Sequence, residues 1–190
     1  MASKRSARSK ILLIAAMCLA PVIASYLAYY VWQPQGRVNY GDLLAVRPMP
    51  DAPLVSIDGK PFRVSDLRGK WVMLSIDSAE CAAACQRKLF TMRQLRLMQG
   101  ADMERIATVF LIADEIPLTT LLIREYDTTL MIRAQGSSLF GAFPDADALR
   151  EHIYLVDPYG NLMLRFPTDP DPARMKQDLQ RLLKAQGSNN

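Results

Sequence analysis

The sequence predicts an α/β domain, a central sheet covered on both faces, preceded by one N-terminal transmembrane helix. Three observations predict it. Short apolar runs at 71–76 and 106–113 alternate with helical patterns. A strand pair around Asp157-Pro158-Tyr159-Gly160 and an amphipathic stretch close the chain. Ile11 to Trp32 contains no charged residue. Strands alternating with helices, then a hairpin and a last helix, describe a layered α/β sheet.

The N-terminal segment comes first. ILLIAAMCLAPVIASYLAYYVW is 22 residues long, about the length that spans a bilayer. Pro21 is tolerated in such a helix. Tyr26, Tyr29, Tyr30 and Trp32 crowd its far end like an interfacial belt. Lys4, Arg5, Arg8 and Lys10 precede it and by themselves equal the net charge of +4. The basic side stays inside, so the rest of the chain crosses. That places a single-pass protein in the inner (cytoplasmic) membrane with a periplasmic domain. A signal peptide cleaved after Val22-Ile23-Ala24 is the competing reading. Apart from those four charges the chain is neutral, and no basic patch is interleaved with aromatics, so nucleic acid is not an expected partner.

The expected organisation is a basic tail (1–10), the anchor (11–32), a linker (33–52), the folded domain (53–186) and a disordered tail (187–190). The linker holds Pro and Gly without a sustained period. Asp58-Gly59 between Leu54–Ile57 and Phe62–Val64 signals a hairpin. Trp71 to Ile76 reads as a buried strand ending at Asp77-Ser78. Ser78 then caps a helix from about Ala79 to Gln99, stopped by Gly100. Ile106 to Ala113 is a second buried strand, and Pro117 opens a helix reaching about Tyr126. Thr128 to Arg133 is β-rich, Gln135 to Phe143 is loop, and Asp145 to Glu151 offers one or two helical turns. His152 to Val156 and Asn161 to Phe166 form a hairpin. Met175, Leu179, Leu182 and Leu183 give Pro172 to Ala185 an apolar helical face.

The chemistry sits at Cys81 and Cys85. A strand delivering two cysteines to a helix start is a reactive-thiol arrangement, because the helix N-terminus favours thiolate. Residues four apart share a helix face, so both sulfurs converge on one ligand or on each other. The competing reading is core: Cys81, Cys85, Leu89, Met92 and Leu95 form one stripe. Two thiolates suit Cu(I); zinc is poorly served by one histidine. Met73 and Met92 are soft but read as core. In redox work Cys81 attacks and Cys85 resolves; Glu80 opposes the thiolate while Arg87 and Lys88 favour it. Cys18, in the apolar segment, reads as inert. Asp114, Glu115 and Asp157 read as turn carboxylates or as an acidic patch for a partner, and Asp169-Pro170-Asp171-Pro172 as a loop before the last helix.

This order of elements, with cysteines just after the first central strand, resembles the thioredoxin fold. Within it the single anchor, SDLRGKWVMLSI, Cys81-x3-Cys85, VFLIADEIP and HIYLVDPYGNLML resemble the Sco/SenC family, over about Pro53 to Ala185. The resemblance implies a protein that assists assembly of cytochrome c oxidase, by Cu(I) handling or thiol–disulfide exchange. Its partner would be an oxidase subunit or another assembly factor. It also implies Cys81, Cys85 and a distant histidine as copper ligands. His152 is the only histidine, and it stands three residues nearer the turn than the family position, which falls on Leu149. The family's Pro-Asp inside the cysteine motif is here Ala82-Ala83-Ala84, and no proline occupies the place near Glu151. A general thiol–disulfide oxidoreductase and a non-catalytic interaction module are the alternatives.

Overall fold

The computed structural model describes residues 3–31 and 39–187. Residues 1–38 and 39–190 form two separate units. The first contains helix α1, Ser3–Val31, with Pro21 inside it. Its described side chains from Leu13 to Leu27 are exposed, and the Tyr26 and Tyr30 rings stack with centroids 4.5 Å apart. Among the described residues no helix is long and apolar enough to cross a membrane. The side chains of Lys4, Arg5, Arg8 and Tyr29, residues 32–38 and the tail from 188 lie outside the described residues.

The second unit is built on one eight-stranded mixed sheet. Its strands are β1 (Asp42–Pro48), β2 (Leu54–Ser56), β3 (Pro61–Phe62), β4 (Trp71–Asp77), β5 (Ile106–Ile112), β6 (Leu130–Arg133), β7 (Ile153–Val156) and β8 (Asn161–Arg165). Their order across the sheet is β1-β8-β7-β4-β5-β6-β2-β3. β4, β5 and β6 run parallel, with Trp71 opposite Ile106 and Val109 opposite Leu130. β7 lies antiparallel to β4 on the other side. All seven β4 residues except Asp77 are buried, as expected of a strand paired on both edges and covered on both faces.

Alternation along the strands divides the core. Trp71 and Met73 face α2 (Ala83–Leu97) and α4 (Pro172–Gly187), meeting Met92, Leu95, Met175, Leu179 and Leu183. Phe110 and Ile112 extend the same face toward α3 (Thr120–Glu125), meeting Leu122 and Tyr126. Val72, Leu74 and Ile76 point the other way, with Val109, Leu111, Ile132 and Tyr154. All three helices of this unit therefore pack on one face. The opposite face, expected to be covered as well, is closed by short 3-10 turns at 64–67 and 138–142, the second burying Leu139. The stretch read as loop thus supplies core, with Phe143 edge-on to Tyr154 at 4.7 Å.

Three of the departures from the sequence reading have a visible cause. α3 starts after Thr119, not at Pro117, because the Thr119 hydroxyl accepts the Leu122 amide and caps it. α2 starts at Ala83, for a reason given below. The third concerns residues 42–48, expected to be linker and found as β1, antiparallel to β8 with Leu43 opposite Leu164. Distant groups hold it there. The amides of Tyr40 and Gly41 both donate to Asp178 Oδ2 on α4, at 2.8 and 3.0 Å. A Cβ on Gly41 would come 2.3 Å from the Leu164 side chain and 3.1 Å from the Arg165 carbonyl, so any other residue forces the buried Leu164 to shift. The Tyr40 ring packs near Phe166 and under Arg174, and its hydroxyl accepts the Asp171 amide. Asp178→Ala orphans two amides against a buried site. The expected loss is about 1–3 kcal/mol of unfolding free energy, measured by urea denaturation.

Candidate functional site

The site grows from the C-terminal end of β4. Asp77 closes the strand, and its Oδ1 accepts the Ser78 amide at 2.9 Å. The Ser78 hydroxyl accepts the Glu80 amide at 3.2 Å, and the Cys81 amide donates to the Ser78 carbonyl at 3.1 Å. These bonds make a tight turn, not the first turn of a helix. Cys81 sits in it with φ +41°, the one non-glycine residue with positive φ among those described. α2 follows with Ala82 as its N-cap and no side-chain cap. The helix expected from Ala79 therefore starts four residues late.

Cys81 and Cys85 form a disulfide, with Cα atoms 5.0 Å apart. The expected convergence of the two sulfurs is met, through a turn followed by a helix. Both cysteines are 1% exposed and pack with Leu89, Phe110 and Tyr126. The pair is part of the core, with its sulfurs joined to each other. Gln86 braces the turn by donating from Nε2 to the Cys81 carbonyl at 3.0 Å, and the Tyr126 hydroxyl donates to the Gln86 carbonyl at 3.3 Å. Burial raises the Tyr126 phenol pKa, so this donor keeps its proton.

Two charged groups at the turn have roles the sequence reading did not assign. Lys88 is buried, 7% exposed. Its ammonium donates to Asp77 Oδ2 at 2.9 Å, to the Ile76 carbonyl at 3.5 Å and to the Arg150 carbonyl. Its charge is directed to the strand end and the 150 loop, and its part in favouring a thiolate is not its main engagement. The signal was present: Lys88 falls three residues after Cys85 and four before Met92, on the buried stripe of α2. Asp114, just past β5, accepts the Ala79 amide at 3.1 Å. Asp157 accepts the Tyr159 and Asn161 amides within its own turn. Asp171 accepts the Ala173 amide at the start of α4. Asp114 and Asp157 are therefore turn carboxylates, while Glu115 and Glu80 are exposed.

His152 does not join the cysteines in a metal site. Its Nδ1 lies 2.8 Å from the Phe166 carbonyl, and its ring meets Tyr154 edge-on. Among the described residues, no group of three or more His, Cys, Asp or Glu could hold a metal ion. Met73 and Met92 are fully buried in a different part of the core from the cysteines. Cys18 is a free, exposed thiol on α1. A cleft of about 1030 Å³ opens beside the first turn of α2, lined by Ala83, Ala84, Phe90, Arg150, Asp169 and Pro170 among others.

Comparison with known proteins agrees with this architecture. Residues 71–186 match the model of a family described as transmembrane-like, thioredoxin-like, C-terminal domain. No curated protein matches the chain. Among solved structures, apo Sco1 of Thermus thermophilus is similar at 18% identity and TM-score 0.57, over 80% of this chain and 99% of that one. Copper-bound ScoI of Bradyrhizobium japonicum is similar at 18% identity and TM-score 0.55, over 72% and 99%. MTB dsbF, in mixed oxidised and reduced forms, is similar at 17% identity and TM-score 0.54, over 73% and 99%. At these identities the likeness establishes a thioredoxin-like fold.

Proposed function

Because the chain belongs to the transmembrane-like, thioredoxin-like, C-terminal domain family, we propose that it is a membrane-tethered protein whose domain exchanges thiols and disulfides at Cys81 and Cys85. The observation that carries this reading is the Cys81–Cys85 disulfide in the turn between β4 and α2. Ala83 and Ala84, between the two cysteines in sequence, line the 1030 Å³ cleft, and a partner segment seated there would reach the sulfurs by opening the turn, since both are 1% exposed. A partner thiolate attacks Cys81 Sγ, the Cys81–Cys85 bond breaks, and Cys85 leaves as a thiolate that takes up a proton. The partner's second thiolate then attacks its own mixed-disulfide sulfur, releasing Cys81. Two electrons and two protons pass from the partner's dithiol to the pair. In the opposite direction reduced Cys81 attacks and Cys85 resolves.

The tether is the uncharged stretch 11–32, with the N-terminus inside, in the cytoplasmic membrane, and the domain outside it. Its support is the basic cluster before the stretch and the exposed apolar side chains of α1. The proposed setting is assembly of a respiratory oxidase, with an oxidase subunit or another assembly factor as partner. Support for that comes from the sequence resemblance to the Sco/SenC family in SDLRGKWVMLSI, Cys81-x3-Cys85 and HIYLVDPYGNLML.

A second reading has one favouring observation: the reduced pair presents two soft donors four residues apart. Cu(I) would then be cargo, held between two thiolates in near-linear geometry. His152 would enter as third ligand through Nε2, with Nδ1–H kept on the Phe166 carbonyl. Both readings are tested together on the full chain in detergent. Equilibration in glutathione buffers, read by thiol alkylation, is expected to give a reversible two-electron transition. Anaerobic Cu(I) titration of the reduced chain against a chromophoric chelator runs beside Cys81→Ser, Cys85→Ser and His152→Ala. One tight equivalent lost in both cysteine variants supports the cargo reading. An irreducible or irreversibly reduced pair rejects exchange, and retained function in both cysteine variants supports an interaction module.

A further inference from the structure

Asp114 belongs to neither cysteine element, yet it holds the turn that carries Cys81. The ends of β4 and β5 are adjacent: Asp77 pairs with Ile112, and the Ala113 amide donates to the Asp77 carbonyl at 3.0 Å. Asp114 therefore faces Ser78 and Ala79 across the sheet end. Its Oδ1 accepts the Ala79 amide at 3.1 Å. Burial works against its charge, but the favourable influence of Ser78, of the Ala79 and Ile116 backbone and of Arg150 outweighs burial and holds its pKa below the ordinary carboxylate value.

The turn requires such a tie. Cys81 is held at φ +41°, a left-handed conformation disfavoured for an L-residue. Left to local preference, Ser78-Ala79-Glu80-Cys81-Ala82 is a capped helix start. The backbone of that segment is fastened to the sheet through Asp114 and to α2 through Gln86. We infer that Asp114 is a positioning residue for the exchange pair, holding Cys81 in the turn from which it bonds to Cys85 and so favouring disulfide over dithiol. This rests on the exchange reading above. Coupling of this kind is reciprocal: whatever the tie adds to the disulfide, the disulfide adds to the tie.

The test is the disulfide equilibrium of the full chain in glutathione buffers at pH 7, for wild type, Asp114→Asn and Asp114→Ala. The unfolding midpoints of the oxidised and reduced forms are measured in parallel. The expected result is a fall of roughly tenfold in the equilibrium constant for disulfide formation in Asp114→Ala. Asp114→Asn, which keeps an acceptor oxygen, should fall less, and the oxidised midpoint should drop more than the reduced one. An unchanged equilibrium constant with equal drops in both midpoints overturns the inference and leaves Asp114 a stability residue. Asp114→Asn reports on the same quantity if the alanine variant does not fold. A wild-type pair that never equilibrates with glutathione is a different result, which removes the exchange reading and this inference with it.

Discussion

Lys88→Ala should lower the unfolding free energy by about 3–5 kcal/mol, the largest effect expected of any single substitution outside the apolar core. Lys88 is 7% exposed, and its partner Asp77 has a side chain 17% exposed. The ammonium joins three segments: Asp77 at the end of β4, Ile76 within it, and the Arg150 carbonyl in the loop before β7. Removing the cation leaves a poorly solvated carboxylate and a carbonyl with no donor, and it opens space under the 150 loop. The penalty comes from what is left behind, so it depends on the pair. Lys88→Met with Asp77→Asn should recover a substantial part of the loss, because neither buried charge then remains. Thermal melts of the two single variants and the double variant measure the coupling. For a domain of this size the midpoint should drop on the order of 10 °C in Lys88→Ala. An effect below 1 kcal/mol would mean that water replaces the ammonium at no cost.

Cys81→Ser or Cys85→Ser should abolish exchange entirely, since neither variant can close an intramolecular disulfide. The loss of the cross-link should cost oxidised protein about 2 kcal/mol. The size is modest because the closed loop is short, with the two cysteines four residues apart. Each variant should therefore unfold at the midpoint of reduced wild type, not below it. That coincidence, read from denaturation with and without reductant, separates loss of a cross-link from damage to the core around Leu89 and Phe110. A variant much less stable than reduced wild type would show that the sulfurs matter mainly as packing.

Strands β4, β5, β7 and β8 and the helices from 83 to 97 and 172 to 187 were legible because each buries a run or stripe of apolar residues. Trp71–Ile76, Ile106–Ile112 and the 153–165 hairpin lie where apolar spacing places them. Two features were not legible, for different reasons. β1 has an exposed pattern, with Leu43 and Val46 both facing solvent, so no periodicity marks it. Its position is set by Asp178, more than a hundred residues away, and by the absence of a Cβ on Gly41. The start of α2 reads locally as Ser78 and three good helix residues. The covalent bond and the tie from β5 override that preference. At the candidate site the spacing left the two sulfurs free to meet a shared ligand or each other, and the structure joins them. The Lys88 and Asp114 contacts cross between elements, so they waited on the tertiary structure. His152 was expected as a distant third ligand, and its contact with the Phe166 carbonyl belongs to the β7–β8 end of the sheet.

The two outer strands of the sheet have a consequence for how anything can attach to it. β3 is two residues long and begins with Pro61, which has no amide proton to offer. β1, at the other margin, is irregular between Leu43 and Arg47 and ends in Pro48. A long flat margin invites another chain to extend the sheet by main-chain bonding, and short, kinked, proline-bearing margins discourage it. This domain is therefore poorly suited to capture a client by strand addition or to stack edge-to-edge into fibrils. Contact with another protein is left to side-chain surface, such as the cleft beside the first turn of α2.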